Sequence, residues 1–175
     1  MKKLLLGLIA LTVLPATLLG QNMSNLHMEE IAEVDNGEST LYVIFKPTDG
    51  QNCYYLNLGA LGSGDKVIQM VLNPVYQLFI PLGATLDETI DTLEDLKEFY
   101  QEEVGTSKEM DAYYGLIPDN SRQEVTVSVY KSFLCRKLMF ALQRDGYIDA
   151  TYLSKSDLSS LLRGVKWHKK LYPNK

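Results

Sequence analysis

The sequence contains few of the side chains on which disulfide scaffolds, zinc sites and most enzymes depend. Its 175 residues include two cysteines, two histidines and one tryptophan. Two cysteines do not make a disulfide scaffold, and His27 and His168 lie far apart, without the neighbouring cysteines of a zinc site. The sequence therefore identifies no catalytic residue, no metal ligand and no cofactor.

Only one long apolar run is present, at the N-terminus. Two lysines precede Leu4–Leu14 and small residues follow up to Gly20, which is the order of a secretory signal. Pro15 ends the run short of the roughly 20 apolar residues of a transmembrane helix, and Gln21 stands where a lipid-modified protein has cysteine. We expect a periplasmic or extracellular protein with no lipid anchor and no transmembrane span after removal of residues 1–20. An uncleaved anchor is the alternative.

Basic residues are scarce in the part of the chain that follows the signal. Residues 21–120 carry 18 acids and four bases, whereas residues 121–175 carry four acids and 11 bases. The resulting net charges of −14 and +7 permit two interpretations. The chain has separate faces for a basic and an anionic partner, or its two parts neutralise each other within one fold. We expect neutralisation, because residues from both parts are predicted to form one sheet-based domain.

The two cysteines could pair in an oxidising compartment. If Leu56 faces the core of its strand, Cys53 faces away from it. Cys135, in contrast, continues the inward-facing apolar series that starts at Val125 and includes Phe133. This pattern favours two unpaired thiols over a disulfide.

Four strands are predicted before residue 85. Residues 21–40 are polar and hold either a short helix over Leu26–Val34 or no stable structure. After them, β-branched and aromatic residues alternate with turn signals. The predicted strands are Leu41–Lys46, Cys53–Leu58, Lys66–Leu72 and Tyr76–Leu82. Their connections are too short for crossover helices, so the strands should form an antiparallel meander.

Residues 85–104 are predicted to form a long amphipathic helix. Thr85 and Glu88 have the spacing of a capping box. Apolar residues recur at helical spacing as far as Val104, and Gly105 offers a stop. The opposite face is strongly acidic. It is either a docking surface for a basic partner or, as we expect, a solvated face.

Three strands and a short helix are predicted after the long helix. Residues 106–120 are predicted to be a loop. The strands are a first one from Val125 that continues to Cys135, then Lys137–Gln143 and Tyr147–Leu153, with a tight turn at Asp145-Gly146 between the last two. A short closing helix starts near Ser156, and Gly164 interrupts or ends it.

These elements predict a single α+β domain over residues 41–175, preceded by the polar N-terminal segment 21–40. Its mainly antiparallel sheet has about six or seven strands. The long helix lies between the two β blocks and packs across the sheet, and the C-terminal helix is short.

Positive charge and the only indole are concentrated near the C-terminus. The residues concerned are Lys166, Trp167, Lys169 and Lys170. This composition suits an anionic glycan or phospholipid head groups. In the alternative interpretation, Val165, Trp167 and Leu171 pack this segment against the sheet and the lysines are merely solvated.

Tyrosine is unusually frequent, with 11 residues in the chain. Phenol rings give contact area and hydrogen bonds at small entropic cost, which suits recognition surfaces. The adjacent Tyr113 and Tyr114 are therefore added to the candidate binding residues.

Together, these features predict an exported envelope binding or accessory protein that acts through protein or glycan contact without catalysis. Its partner would be another envelope protein, or an anionic glycan or membrane surface, and export argues against nucleic acid. The alternative is a small envelope hydrolase whose Asp, Glu, Tyr and Lys side chains are assembled by folding. A pocket with convergent carboxylates and raised pKa values would favour the enzyme, and a flat aromatic surface would favour the binding protein.

The order of charged, apolar and small residues in 1–20 predicts export with cleavage near Gly20. The intact mass of the protein recovered from the envelope fraction should match a chain that begins near Gln21. A species that retains residues 1–20 would contradict both the localisation and the exclusion of this segment from the fold.

Overall fold

The computed structural model describes residues 28–35, 41–48, 51–60, 77–115, 118, 122–133, 135–144 and 146–173. The predicted signal and the predicted strand Lys66–Leu72 lie outside the described residues.

The described chain forms one antiparallel sheet and two helices. Eight strands pair in sequence order, each with the next. They are β1 Met28–Asp35, β2 Leu41–Pro47, β3 Tyr54–Ala60, β4 Gln77–Gly83, β5 Ser107–Gly115, β6 Arg122–Lys131, β7 Arg136–Arg144 and β8 Tyr147–Ser154. Helix α1, Leu86–Phe99, follows β4, and helix α2, Lys155–Leu171, follows β8. The predicted α+β class and mainly antiparallel sheet are confirmed. The predicted four-strand meander is wrong in its order, because it placed the strand Lys66–Leu72 between β3 and β4, which pair directly with each other.

The sheet has eight described strands, so the expected six or seven was too few. Strand β1 occupies the segment for which a helix or no structure was expected. It pairs with β2 along its length and buries Ile31 and Ala32, with an irregularity between Glu30 and Ala32. That irregularity interrupts the alternation of buried and exposed residues from which a strand is recognised in a sequence.

Strand β5 was also missed, because its residues were predicted to be a loop. It pairs with β4 and β6 and is exposed or only half-buried over most of its length. Ala112 is one of its few fully buried side chains. Pairing on both sides stabilises a strand whose composition gives little hydrophobic signal.

The connection from β6 to β7 departs from the prediction as well. β6 ends at Lys131, and the backbone N–H of Ser132 donates to the carbonyl of Cys135 at 2.9 Å in a tight turn. Phe133 is 97% exposed and Cys135 is exposed, so neither continues the inward-facing series. Both cysteines are free thiols.

The two helices differ in length from the prediction. α1 ends at Phe99 rather than at residue 104, and α2, with 17 residues, is longer than α1, with 14. Gly164 lies within α2 and does not end it. Both N-termini are capped, by Thr85 in α1 and by a complete capping box of Ser154 and Asp157 in α2. Caps of this kind satisfy the first free amides of a helix.

Alternation along the strands builds the main core on one face of the sheet, here called the inner face. Both helices pack on this face. Fully buried residues include Leu56 and Val127 from the strands, Leu93 from α1, and Leu161 and Val165 from α2. The predicted apolar stripe of α1 is therefore the face that packs on the sheet. Its acidic residues lie on the opposite side.

The sheet curves so that its last strand returns to the early strands. The hydroxyl of Tyr42 on β2 donates to the carbonyl of Tyr152 on β8 at 2.5 Å. The hydroxyl of Thr151 on β8 donates to the carbonyl of Leu58 on β3 at 3.3 Å. These bonds between distant strands fix the curvature around the main core.

A second, smaller cluster lies on the outer face of the early strands. Val43, Phe45, Tyr55 and Phe79 are each at most 2% exposed. The Phe45 ring lies 6.0 Å from that of Tyr55 and 5.9 Å from that of Phe79. Cys53 packs partly against this outer cluster, so it faces away from the main core as the alternation predicted.

Helix α2 approaches β1 most closely at Gly164. A Cβ atom placed on Gly164 would lie 2.7 Å from the Cβ of Ala32, which is closer than two carbon atoms can pack without displacement. Glycine costs about 1 kcal/mol relative to alanine inside a helix. The close contact with β1 explains why this helix nevertheless contains one.

We expect Gly164→Ala to lower the free energy of unfolding by about 1–3 kcal/mol, because the added methyl group overpacks the contact with Ala32. In an Ala32→Gly background the same substitution should cost much less, because the space is then free. Urea titration of the two single variants and the double variant measures the coupling. Additive effects would show that α2 does not approach β1 this closely.

Candidate binding site

The outward side of α2 carries a stripe of large polar and aromatic side chains. Arg163, Lys166, Trp167 and Lys170 are spaced i, i+3, i+4 and i+7, which places them on one helix face. All four are exposed. The inward side is anchored by fully buried leucines and by Val165. The stripe is therefore presented to solvent on a helix whose other face is fixed in the core.

These side chains line an open groove of about 370 Å³. The lining residues are Ser159, Leu162, Arg163, Lys166, Trp167 and Lys170. Of the described residues, those that line the groove include no carboxylate and no imidazole. The groove therefore offers cations, an indole and an apolar floor, but no acid–base pair.

Trp167 is the largest exposed surface of the groove, with 60% of the residue accessible. The ammonium of Lys170 lies 5.8 Å from the centre of its ring, within the range of a cation–π contact. In the alternative interpretation, Val165, Trp167 and Leu171 pack the C-terminal segment against the sheet. Of these three residues Val165 is buried, whereas Trp167 and Leu171 are exposed, Leu171 by 53%. The indole is available to a ligand.

Two of the predicted lysines pair with carboxylates of α1. The Lys166 ammonium lies 2.5 Å from Glu94 Oε1, and Lys169 forms an ion pair with Asp87. All four side chains are partly exposed, so these pairs orient the helices more than they stabilise the fold. They are one place where the acidic and basic parts of the chain meet, in agreement with the expected neutralisation. The hydrogen bond and positive charge of Lys166 lower the pKa of Glu94.

Arg163 and Lys170 remain without an ion-pair partner among the described residues. The Arg163 guanidinium donates to the hydroxyl of Ser160 at 3.2 Å, which leaves its charge uncompensated. Lys170 makes the cation–π contact with the indole described above. The groove thus has two free cations, one on each side of Trp167 along the helix.

His168 holds the end of α2 on β1. Its Nε2 atom lies 3.7 Å from Glu29 Oε1, and its ring lies 4.8 Å from that of Tyr172. The imidazole is largely covered, with 12% of its side chain exposed. It faces β1 and is separate from the stripe, so we assign it to the docking of the helix.

Tyr113 and Tyr114 lie on β5 and point to opposite faces of the sheet. Tyr113 packs against the outer cluster, with its ring 5.7 Å from that of Tyr55. Tyr114 packs against the main core on the inner face. Both are half-buried, so this pair does not form one exposed tyrosine surface.

Sequence reasoning included Lys166, Trp167 and Lys170 in the site but left out Arg163, Ser159 and Leu162. Helical spacing was the available signal, since each of the three lies four residues before another residue of the groove, which places the two on one side of a helix. The shorter helix predicted for this segment, with Gly164 as a possible end, concealed that signal.

Other titratable groups with shifted pKa values lie outside the groove. Partial burial and the charge of Glu33 raise the pKa of Glu30 on β1. Burial and the nearby Cys53 raise the pKa of Tyr55 in the outer cluster. Within the described ranges, no group of three or more His, Cys, Asp or Glu side chains is placed to hold a metal ion.

Neither helix in the described part of the chain is long and apolar enough to cross a membrane. Comparison of the sequence with protein-family models, with curated proteins and with solved structures finds no match. Function is therefore inferred from the residues of the groove.

The pair of Glu94 and Lys166 should make a small, pH-dependent contribution to stability. Because the folded-state pKa of Glu94 is lowered from 4.5, the contribution is present above pH 4.5 and is lost as the pH falls through the lowered pKa. Thermal unfolding of the wild type and of Glu94→Gln should differ at neutral pH and converge in acid. A difference that grows as the pH falls would contradict this sign.

Proposed function

We propose that this protein is an exported envelope binding protein that contacts an anionic glycan through the groove on α2 and performs no catalysis. The observation that carries the proposal is the exposed indole of Trp167 among cations, on a helix whose opposite face is buried. An exposed indole offers a partner a large apolar face together with an N–H donor, and here cations flank it.

The chemistry of the groove supports binding rather than hydrolysis. General acid–base catalysis needs a carboxyl, imidazole or comparable group positioned at the substrate. The described lining residues offer a serine hydroxyl and cations instead. The raised pKa of Glu30 belongs to a residue of β1 at the protein surface and has its cause in partial burial and Glu33. A small envelope hydrolase is therefore the less favoured function.

Trp167→Ala tests the proposal by separating binding from stability. Because the indole is 60% exposed, we expect its removal to change the melting temperature little while weakening binding to sulfated glycans by about tenfold or more, as aromatic stacking is worth about 1–3 kcal/mol. Isothermal titration calorimetry at low salt measures the affinity.

Phe133→Ala is the matched control, because Phe133 is an exposed aromatic residue in the turn between β6 and β7. It should leave the affinity unchanged. The proposal fails if the wild type binds no anionic glycan at low salt, or if Trp167→Ala destabilises the protein as strongly as the loss of a buried aromatic, about 3–5 kcal/mol.

A further inference from the structure

The charges around Trp167 are not equivalent. Lys166 and Lys169 are engaged by Glu94 and Asp87 of α1. Arg163 and Lys170 have no carboxylate partner among the described residues, and they stand on either side of the indole. A ligand therefore meets two attractive charges rather than four.

The spacing of these two cations defines the ligand further. Arg163 and Lys170 are seven positions apart, so their backbone positions lie about 10 Å apart along the helix axis. Trp167 lies between them, one turn from each. A matching ligand places an acidic group at each end and a flat, weakly polar surface in the middle.

We infer that the groove binds an acidic saccharide chain, with one sugar ring on the face of Trp167 and the acidic groups of its neighbours on Arg163 and Lys170. This rests on the proposed function and names its ligand. The C–H bonds on the face of a sugar ring carry partial positive charge and pack well on the electron-rich face of an indole. The planar guanidinium of Arg163 suits a carboxylate or a sulfate, each of which accepts two parallel hydrogen bonds.

A membrane surface fits the same helix less well. A helix that lies in a membrane interface buries an apolar face in the lipid. The apolar face of α2 is already used, because Leu158, Leu161 and Val165 are fully buried in the main core. Between the cations of the outward stripe only Trp167 remains to enter the lipid.

The single tryptophan makes the site directly observable. Since Trp167 is the only indole in the chain, ligand-induced changes in its fluorescence report on the groove and on no other surface. Oligogalacturonate and dextran sulfate are the probes for carboxylated and sulfated chains. Neutral dextran, and vesicles of phosphatidylglycerol and phosphatidylcholine, complete the series.

We expect at least one acidic saccharide to change the fluorescence of Trp167 saturably, and neutral dextran to bind far more weakly. Arg163→Gln and Lys170→Gln should each weaken binding by about tenfold, because each removes a charged hydrogen bond. The two probes distinguish carboxylate from sulfate as the preferred acid.

The matched control is Lys131→Gln. Lys131 is an exposed cation at the end of β6 that does not line the groove, and its substitution changes the net charge by the same amount as Arg163→Gln. Its affinity should stay within about twofold of the wild type, since an exposed charge outside the site contributes little at short range. Circular dichroism confirms that each variant is folded.

The outcomes separate this inference from the proposed function. If no anionic glycan binds, the proposed function itself fails. If an acidic saccharide binds but Lys131→Gln weakens binding as much as Arg163→Gln and Lys170→Gln do, binding is diffuse and the assignment to two cations is wrong. Binding of anionic vesicles without binding of either acidic saccharide would overturn the ligand class.

Discussion

Helix α2 reaches β1 through a contact that only glycine permits. Gly164 lies so close to Ala32 that a methyl group on the helix would meet the methyl group on the strand at 2.7 Å. This contact joins the last helix to the first described strand, and no contact between neighbours in sequence could replace it. It allows α2 to lie close to β1, and the buried residues Leu158, Leu161 and Val165 then fix which side of the helix faces solvent. The groove, the ion pairs with α1 and the place of His168 depend on this placement.

The two helices bring the acidic and the basic parts of the chain into contact. The acidic face of α1 is not wholly solvated, because Asp87 and Glu94 receive lysines from α2. These exposed pairs add little stability, but they remove two positive charges from the surface that a ligand would meet. What remains is a smaller and more specific set of cations beside the indole. An anionic partner would therefore be recognised by the positions of these cations as well as by their charge.

The two faces of the sheet have different roles. The inner face carries the main core and both helices, and the hydrogen bonds from Tyr42 and Thr151 hold the curved sheet around it. On the early strands the outer face holds a second buried cluster with three aromatic residues, which is why Cys53 and Tyr113 are half-buried although they point away from the main core. Opposite orientation therefore explains why adjacent tyrosines did not form a joint surface.

Much of the architecture follows from the sequence alone, because the signals concerned are local. Alternating valines in β6, the Asp-Gly turn before β8 and the capped apolar stripe of α1 each specify their element within about ten residues. The α+β class and the mainly antiparallel sheet follow from their order and short connections. The same local reading identifies Trp167 with its neighbouring lysines as the feature most suited to binding.

Tertiary structure decided what depends on partners distant in sequence. Strands β1 and β5 carry weak or irregular patterns and exist because neighbouring strands supply their hydrogen bonds. Gly164 weakens a helix when only its own segment is considered, but becomes a requirement once Ala32 lies against it. The composition of the C-terminal segment shows several cations, yet it cannot show that Glu94 and Asp87 neutralise Lys166 and Lys169 and leave Arg163 and Lys170 free. Each of these lysines is more than 70 residues from its carboxylate partner in the sequence. The difference between paired and unpaired cations therefore arises only when folding places the two helices side by side.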